Sequence, residues 1–170
     1  MGDAFGAAHD PEECGEAEEH WRRHGFGSWA LLLHDETFAG VAEVHFAHPG
    51  IGGISTEEVE VGWEIVPALR GRGLATEAMR AAIADAWQRT GADHLVAYVR
   101  TDNAASLRTA EKLGFAVRSE GLTRGGDPML VLALRREGAS EQARSLLGGG
   151  SPMDRHRRVT ELRKGPHDER

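Results

Sequence analysis

The sequence predicts an α/β fold in which a mixed, mostly antiparallel sheet is flanked by helices. Residues Leu74–Thr90 form the most regular helical pattern of the chain, with apolar residues recurring at intervals of three and four. Strand-like runs lie on both sides of this helix, which predicts one strand–helix–strand unit. Further pairs of strand-like runs, each joined by a short polar turn, predict hairpins near the two ends of the sheet. The pattern does not alternate throughout, so a doubly wound parallel sheet is not expected.

The first half of the chain predicts one helix and three strands. The helix runs from about Pro11 to His24, with glutamates early and basic residues late, as the helix dipole favours. Residues 28–34 and 38–46 are rich in apolar residues and predict a hairpin. Residues 58–66 predict a third strand, which the following proline closes.

The second half predicts two helices that alternate with strands and then a hairpin. Gly91 follows the long helix as a stop signal, and the apolar residues 94–100 predict a buried strand. Asp102 or Asn103 is expected to cap the next helix, which ends before Gly114. Residues 116–120 and 129–134 predict the last two strands, separated by a glycine-rich turn.

Length and composition predict one cytoplasmic domain at residues 1–137 and a polar tail at residues 138–170. The chain has 170 residues, and a Gly-Gly-Gly-Ser-Pro segment within the tail reads as a linker. No apolar run approaches about 20 residues and no leader precedes the domain, so neither a membrane span nor secretion is expected. The single Cys14 allows no internal disulfide and no thiolate metal site.

Charge argues against one class of partner. The net charge of −7 is unfavourable for binding the phosphate backbone of nucleic acid. Residues 1–20 hold seven acidic residues and no Lys or Arg. Such a segment is either solvated surface or an acidic rim that attracts a cationic substrate, and the sequence leaves both open.

The segment Arg-Gly-Arg-Gly-Leu-Ala-Thr at residues 70–76 lies between the third strand and the long helix. A glycine-rich turn at a helix N-terminus brings several backbone N–H groups together, which favours a pyrophosphate. An ordinary glycine-rich turn is the alternative. A Rossmann site fits less well, because Thr76 stands where its third glycine is expected, and the Walker A pattern is absent.

Four sequence blocks in the same order resemble one enzyme superfamily. The pattern Arg70-x-x-Gly73-x-Ala75 is similar to the CoA-binding signature of the GNAT acetyltransferases. The Glu-Val-Gly-Trp-Glu-Ile-Val-Pro block at 60–67, the Asn-Ala-Ala-Ser block at 103–106 and the Glu-Lys-Leu-Gly-Phe block at 111–115 resemble its neighbouring blocks. The resemblance covers residues 12–136 and is nearest to the ribosomal-protein N-terminal acetyltransferases of the RimJ and RimL type.

The resemblance implies transfer of an acetyl group from the co-substrate acetyl-CoA to a primary amine, with no metal. The acceptor is expected to be a small amine or a protein N-terminus. A non-catalytic acyl-CoA-binding module or a partner-binding domain are the alternatives. The residues implied in acetyl-CoA binding are Ile65, Val66, Arg70, Gly71, Arg72, Gly73, Leu74, Ala75, Thr76, Asn103 and Ser106.

Candidates for the proton transfers come from strand periodicity and from the resemblance. Glu60 and Glu64 share one face of the third strand, and each is a candidate general base or the partner of a nearby arginine, Arg100 or Arg108. His45 is a weaker base candidate. Ala110 occupies the place where many relatives have a tyrosine acid, and this makes Ser106 the next candidate. Tyr98, the one tyrosine, is expected to be packed.

The beginning of the domain departs from the family pattern. Relatives open with a strand and a helix that have no counterpart here, so the usual first strand is expected to be missing. Pairing of the exposed edge between two copies would produce a homodimer. Residues 158–163 of the tail are an alternative source of the missing strand. His20 and His24 lie one helical turn apart, and without a third ligand they predict a surface pair.

Overall fold

The computed structural model describes residues 11–48, 54–123 and 125–136, with side chains from residue 15 onward. The predicted tail at 138–170 lies outside these residues, as does the strand suggested for 158–163. No helix within the described residues is long and apolar enough to cross a membrane.

Within the described residues, three α-helices and six β-strands occur where the sequence predicts them. The helices are α1 (Pro11–His24), α2 (Leu74–Thr90) and α3 (Ala104–Leu113), and a short 3₁₀ turn (Pro67–Leu69) follows the third strand. The strands are β1 (Trp29–Leu32), β2 (Phe38–Phe46), β3 (Val59–Ile65), β4 (His94–Arg100), β5 (Ala116–Leu122) and β6 (Pro128–Arg135). β1 is shorter than predicted, because a bulge shifts its register between Leu31 and Leu32 and the chain then turns through Glu36 at a φ of 66°.

The six strands form one mixed sheet in the order β1-β2-β3-β4-β6-β5. Every neighbouring pair is antiparallel except β3 and β4, which are parallel and are joined by the crossover through α2. The predicted α/β class with a mostly antiparallel sheet is therefore confirmed. Within residues 11–48 no strand precedes β1, so β1 is an edge of the described sheet.

One face of the sheet carries the main hydrophobic core. Alternate residues of the central strands are buried on this face. α2 covers it with Met79, Ala82, Ile83 and Ala86, whose spacing of three and four residues places them on one side of the helix. Ala110 of α3 joins the same cluster. The sheet residues buried there include Val44, Val61, Leu95, Ala97, Val99 and Leu132.

The end of α1 is fastened to this core through aromatic contacts. The Trp21 ring meets the Trp29 ring edge to face at a centroid distance of 5.0 Å, and its indole N–H donates to the Ser28 carbonyl. Arg89 of α2 lies over the Trp21 ring at 5.4 Å and donates to the Gly25 carbonyl at 3.1 Å. These contacts hold α1 beside the C-terminal end of α2.

The opposite face of the sheet is polar over β2 and β3. The register pairs His45 with Glu60, Glu43 with Gly62, and a valine with Glu64, which places these side chains together on this face. Over β6 the same face is apolar, where two buried residues pack with Ile54. Because α2 and α3 cover the other face, the acidic side chains of β2 and β3 lie on the face that these helices leave uncovered.

Candidate active site

A gap opens between β3 and β4. These parallel strands share a single register pair, Glu60 with Val96, whereas β2 with β3 and β4 with β6 each share seven. Beyond this pair β3 continues to Ile65 and β4 to Arg100 without pairing to each other. Because the strands are parallel, the gap widens toward their C-terminal ends, where the turn into α2 begins. The result is a cleft with exposed backbone groups on both walls.

Ile65 presents its backbone to this gap. The Val66 N–H donates to the Ala39 carbonyl at 2.9 Å and is therefore used by β2. Successive residues of a strand point their N–H and C=O groups to opposite sides, so those of Ile65 point toward the gap. The Ile65 carbonyl accepts a hydrogen bond from the Arg70 Nε at 2.9 Å. Of the two residues predicted at this position, Ile65 is the one that offers an N–H to a ligand in the gap.

The turn at residues 70–76 lies at the mouth of the gap. Gly71 and Gly73 have φ values of 77° and 84°, a region that side chains disfavour, and a Cβ on either would meet nothing within 4 Å. The first bond of α2 runs from the Glu77 N–H to the Gly73 carbonyl at 3.1 Å. The N–H groups of the preceding helical residues are thus available at the positive end of the helix. This turn has the backbone geometry of an anion site.

Glu60 is the one buried charged residue among those that the structure describes. It lies where the gap begins and is only 4% exposed. Its Oε1 is 3.9 Å from the His45 Nε2, and its Oε2 is buried with no hydrogen-bond partner among the described residues. The Tyr98 hydroxyl and the His48 backbone N–H also donate to the carboxylate.

The surroundings of Glu60 suit a general base. Burial raises the pKa of Glu60, and repulsion from Glu43 adds to the increase. His45 and the hydrogen bonds from the His48 N–H and the Tyr98 hydroxyl lower the pKa only in part. A carboxylate with a raised pKa is a stronger base than one at the ordinary value.

The arginines proposed as partners of the two strand glutamates are placed elsewhere. Arg100 pairs with Asp102 and, at 3.5 Å, with Asp127. Neither Glu60 nor Glu64 forms an ion pair with Lys or Arg among the described residues. The predicted salt bridge from Glu60 or Glu64 to Arg100 or Arg108 is therefore wrong. Arg100 pairs with exposed aspartates instead.

The N-terminus of α3 is capped by a side chain. The Asn103 side chain caps the helix by accepting from the Ser106 N–H at 3.1 Å, which decides between the two predicted caps. Ser106 is partly buried in the first turn, and Ala110 is buried in the core at 2% exposure. Ala110 thus has no role in the cleft, and Ser106 is still the candidate acid.

Tyr98 is not packed as predicted. Its side chain is 39% exposed although its neighbours on β4 are buried, because β3 diverges from β4 at this level. Its hydroxyl is hydrogen-bonded to the buried Glu60. The link between Tyr98 and Glu60 was not predicted from the sequence. Strand alternation gave a signal for it, because Tyr98 lies on the same face of β4 as Val96, the register partner of Glu60.

A second polar cluster closes the other end of the β3–β4 pair. Glu58 accepts from the His94 Nε2 at 2.6 Å, from the Ser55 N–H at 2.6 Å, and from Arg118 of β5. Partial burial alone would raise the pKa of Glu58, but these bonds outweigh it and lower the pKa to about 2. No sequence pattern pointed to this cluster, because its members are far apart in the chain.

His20 and His24 of α1 lie close together. The rings of His20 and His24 lie 4.6 Å apart, and the His20 Nδ1 bonds to the Phe26 carbonyl at 2.8 Å. Among the described residues no group of three His, Cys, Asp or Glu side chains could hold a metal ion. A cavity of about 620 Å³ lies beside this helix and includes none of the predicted site residues.

Comparison with known proteins agrees with this geometry. Residues 4–116 match the family described as the acetyltransferase (GNAT) domain. The chain belongs to the GNAT acetyltransferase family. This match agrees with the resemblance that the four sequence blocks indicate.

Relatives agree in fold and differ in length. A mycothiol acetyltransferase of Mycobacterium leprae is 36% identical over 81 residues, which are 45% of this chain and 24% of that protein. The chain therefore spans about a quarter of the length of the curated relatives it matches. The structure of a protein from Bordetella pertussis assigned to the GNAT family is 31% identical, with a TM-score of 0.64, over 72% of this chain and 73% of that one.

A further solved structure shows the same fold with a ligand. A protein from Salmonella typhimurium assigned as an acetyltransferase was solved with its cofactor acetyl-CoA. It is 24% identical, with a TM-score of 0.62, and covers 74% of this chain and 73% of that one. At this identity the likeness concerns the GNAT fold.

Proposed function

We propose that this GNAT domain transfers the acetyl group of acetyl-CoA to a primary amine. The observation that carries the proposal is the gap between β3 and β4, with a glycine turn at its mouth and the buried Glu60 where it begins. A thioester lying in such a gap has an anion site on one side and a base on the other. The acetyl-CoA complex of a protein with the same fold supports this choice of co-substrate.

Acetyl-CoA binds along the gap in this proposal. Its pyrophosphate accepts hydrogen bonds from the N–H groups of residues 71–76 at the positive end of α2. Its pantetheine arm lies beside β3 as an added strand and bonds to the backbone of Ile65. In the same proposal Arg72 supplies a positive charge, and the Asn103 amide at the N-cap of α3 hydrogen-bonds to the pantetheine arm.

The reaction then needs proton transfers at the amine and at the sulfur, and one oxyanion site. Glu60 takes a proton from the acceptor ammonium, either directly or through the Tyr98 hydroxyl, which links it to the gap. The amine lone pair attacks the thioester carbonyl carbon, and the Ile65 N–H stabilises the oxyanion. The C–S bond then breaks and the amide forms. Ser106 gives a proton to the departing CoA sulfur and takes one from the positively charged nitrogen of the adduct, which leaves a neutral amide and a neutral hydroxyl.

Thiol release from acetyl-CoA with a panel of primary amines tests the proposal. Glu60→Gln should lower kcat about 10²-fold, because the amide cannot accept the proton, while CoA affinity measured by calorimetry stays unchanged. The raised pKa of Glu60 predicts an acidic limb in the pH–rate profile above the ordinary carboxyl range, and the variant should lack it. Glu64→Gln, on the same strand face, tests the rival candidate base and should keep a kcat near that of wild type. Near-normal turnover of Glu60→Gln would refute the assignment of the base.

The non-catalytic CoA-binding module is the second candidate, and Ala110 in place of the usual tyrosine favours it. In that case the protein would bind CoA in calorimetry and release no thiol with any amine. The ribosomal-protein type of acceptor, a protein N-terminus, is also a proposal. Peptides with free N-termini belong in the same panel as the small amines.

A further inference from the structure

The end of β3 has a neighbour on one side among the described strands. β3 and β4 share the single register pair of Glu60 with Val96, so the later residues of β3 have β2 on one side and the gap on the other. The polar backbone atoms of Ile65 point toward the gap, where an N–H of a neighbouring strand would normally bond to the carbonyl. Ile65 is buried, and a buried carbonyl without a donor is unfavourable. The divergence of β4 therefore leaves the Ile65 carbonyl in need of another donor.

Arg70 provides that donor from the following turn. Its Nε donates to the Ile65 carbonyl at 2.9 Å. The short 3₁₀ turn between the two residues brings the side chain back to β3. In this turn the Leu69 N–H donates to the Val66 carbonyl at 2.8 Å. The Arg70 N–H donates to the Pro67 carbonyl at 3.3 Å. The Arg70 side chain thus takes the place of a β4 backbone donor at the end of β3.

The peptide bond between Ile65 and Val66 is held at both of its polar atoms. Its N–H donates to the Ala39 carbonyl on β2 at 2.9 Å, and its carbonyl accepts from Arg70 on the side of the gap. Hydrogen bonds on both sides restrain rotation of this peptide plane, and the plane sets the ψ angle of Ile65. Arg70 therefore helps to hold the segment of β3 whose next N–H, that of Ile65, points into the gap.

The Arg70 side chain has one contact of this kind in the described parts of the chain. It forms no ion pair with a carboxylate there, and its hydrogen bond to the Ile65 carbonyl is its one side-chain hydrogen bond there. The atom that makes this bond is Nε, the donor nearest to the backbone. The sequence signature indicates a role at the pyrophosphate, whereas the contact that the structure shows lies at the strand beside the thioester.

We propose that Arg70 is a positioning residue for acetyl transfer, which holds the end of β3 so that the Ile65 N–H can stabilise the oxyanion. This inference rests on the proposed acetyl transfer and assigns Arg70 to its thioester end. An oxyanion donor must lie about 2.7–3.1 Å from the oxygen that becomes charged. Misplacement of a reacting group by about 1 Å can cost about 10²-fold in rate. The feature that matters is the N–H at the Nε position, and the positive charge is secondary.

Three substitutions of Arg70 separate the donor from the charge. Arg70→Gln places an amide nitrogen the same number of bonds from Cα as the arginine Nε, but without charge. Arg70→Lys keeps the charge and has a methylene group at that position, and Arg70→Met has neither donor nor charge. Arg70→Met and Arg70→Lys should lower kcat roughly tenfold or more, because the hydrogen bond to the Ile65 carbonyl is lost. The KM for the amine should stay unchanged, since the lost interaction acts in the transition state. Arg70→Gln should recover most of the lost kcat.

Two further measurements do not depend on turnover. The affinity for 3′-phospho-ADP, the part of CoA that carries the pyrophosphate and lacks pantetheine, should be the same in calorimetry for wild type and all three variants. Hydrogen exchange of residues 59–66 should be faster in Arg70→Met and Arg70→Lys than in wild type and Arg70→Gln. Arg135→Met is the control, because Arg135 is exposed and pairs with His94 at the start of β4, away from the gap. It should leave kcat and this exchange unchanged.

A wild-type kcat in Arg70→Lys together with a loss in Arg70→Gln would overturn the inference, because the charge would then be the feature that acts. A wild-type kcat in Arg70→Met, an equal loss in all three variants, or weaker binding of 3′-phospho-ADP to Arg70→Met would overturn it as well. Each of these results leaves acetyl transfer standing. Wild-type protein that acetylates no amine of the panel would overturn the proposed function together with the inference.

Discussion

Replacing Glu58 should destabilise the protein in a way that depends on pH. Glu58 joins β3 to His94 on β4, to Arg118 on β5 and to the backbone at Ser55. It therefore holds the strands together at the end where they are paired, opposite to the gap. We expect Glu58→Gln to lower the free energy of unfolding by about 1–2 kcal/mol at neutral pH.

The magnitude follows from the pKa of this carboxyl group. Partial burial opposes the change, but Arg118, His94 and the Ser55 N–H together lower the pKa of Glu58 from 4.5 to about 2. At 1.36 kcal/mol for each pKa unit, this difference sets a ceiling of about 3.4 kcal/mol. The side chains of Arg118 and His94 are 38% and 31% exposed, so water screens both ion pairs and reduces the expected value.

The sign of the pH dependence differs between the two partners. The folded pKa of Glu58 is lowered, so its contribution is complete above about pH 4.5 and is lost as the pH falls toward 2. The hydrogen bond between His94 and Glu58 raises the pKa of His94. The contribution of the His94 imidazolium to stability is therefore present below pH 6.5 and is lost as the pH rises through the raised pKa. The difference between wild type and variant should therefore be greatest between about pH 4.5 and 6.5.

Urea unfolding followed by tryptophan fluorescence at about pH 3, 5.5 and 8.5 in low salt measures this difference. Glu57→Gln is the control, because Glu57 is an exposed neighbour without an ion pair among the described residues, and its effect should stay within about 0.5 kcal/mol. An equal loss of stability at pH 3 and pH 5.5 for Glu58→Gln would refute the electrostatic explanation.

Three further outcomes are expected. Gly73→Glu should abolish CoA binding in calorimetry by placing a carboxylate in the anion site, whereas Gly91→Glu, with equal backbone strain at the other end of α2, should retain it. Gly40→Ala should cost about 2–4 kcal/mol in urea unfolding, since its Cβ would lie 2.0 Å from the Glu64 carbonyl, and Gly125→Ala should cost almost nothing. β1 is an edge of the described sheet, which predicts a homodimer, and a monomer mass by light scattering at micromolar concentration would contradict it.

Local sequence determined the elements of this fold and the turn that carries its signature. Apolar spacing alone predicts the α2 helix. The turn before it depends on Gly71 and Gly73, which can adopt a positive φ because they have no side chain. The same holds for Asn103, where a side chain caps the helix that immediately follows it. These features depend on residues within a few positions of each other, so they can be read from the chain alone.

Strand alternation predicted which face of β3 a residue occupies, but not how deeply that residue is buried. It placed Glu60 and Glu64 on the same side of β3, and the register confirms that arrangement. It could not distinguish them, because the burial of Glu60 depends on β2, β4 and the Tyr98 hydroxyl. The error on Tyr98 has the same origin: an apolar run predicts a packed strand and contains no information about where its neighbour diverges.

The sequence by itself determined the family, the order of helices and strands, and the glycine turn at the start of α2. Only the tertiary structure decided that β3 and β4 separate beyond Glu60, that Glu43 folds over Gly62, and that Glu58 meets Arg118. Each of these features involves residues that are distant in the chain, and Glu58 and Arg118 are 60 positions apart. Their geometry is set by how the whole sheet twists and packs on α2, and no local pattern encodes that outcome.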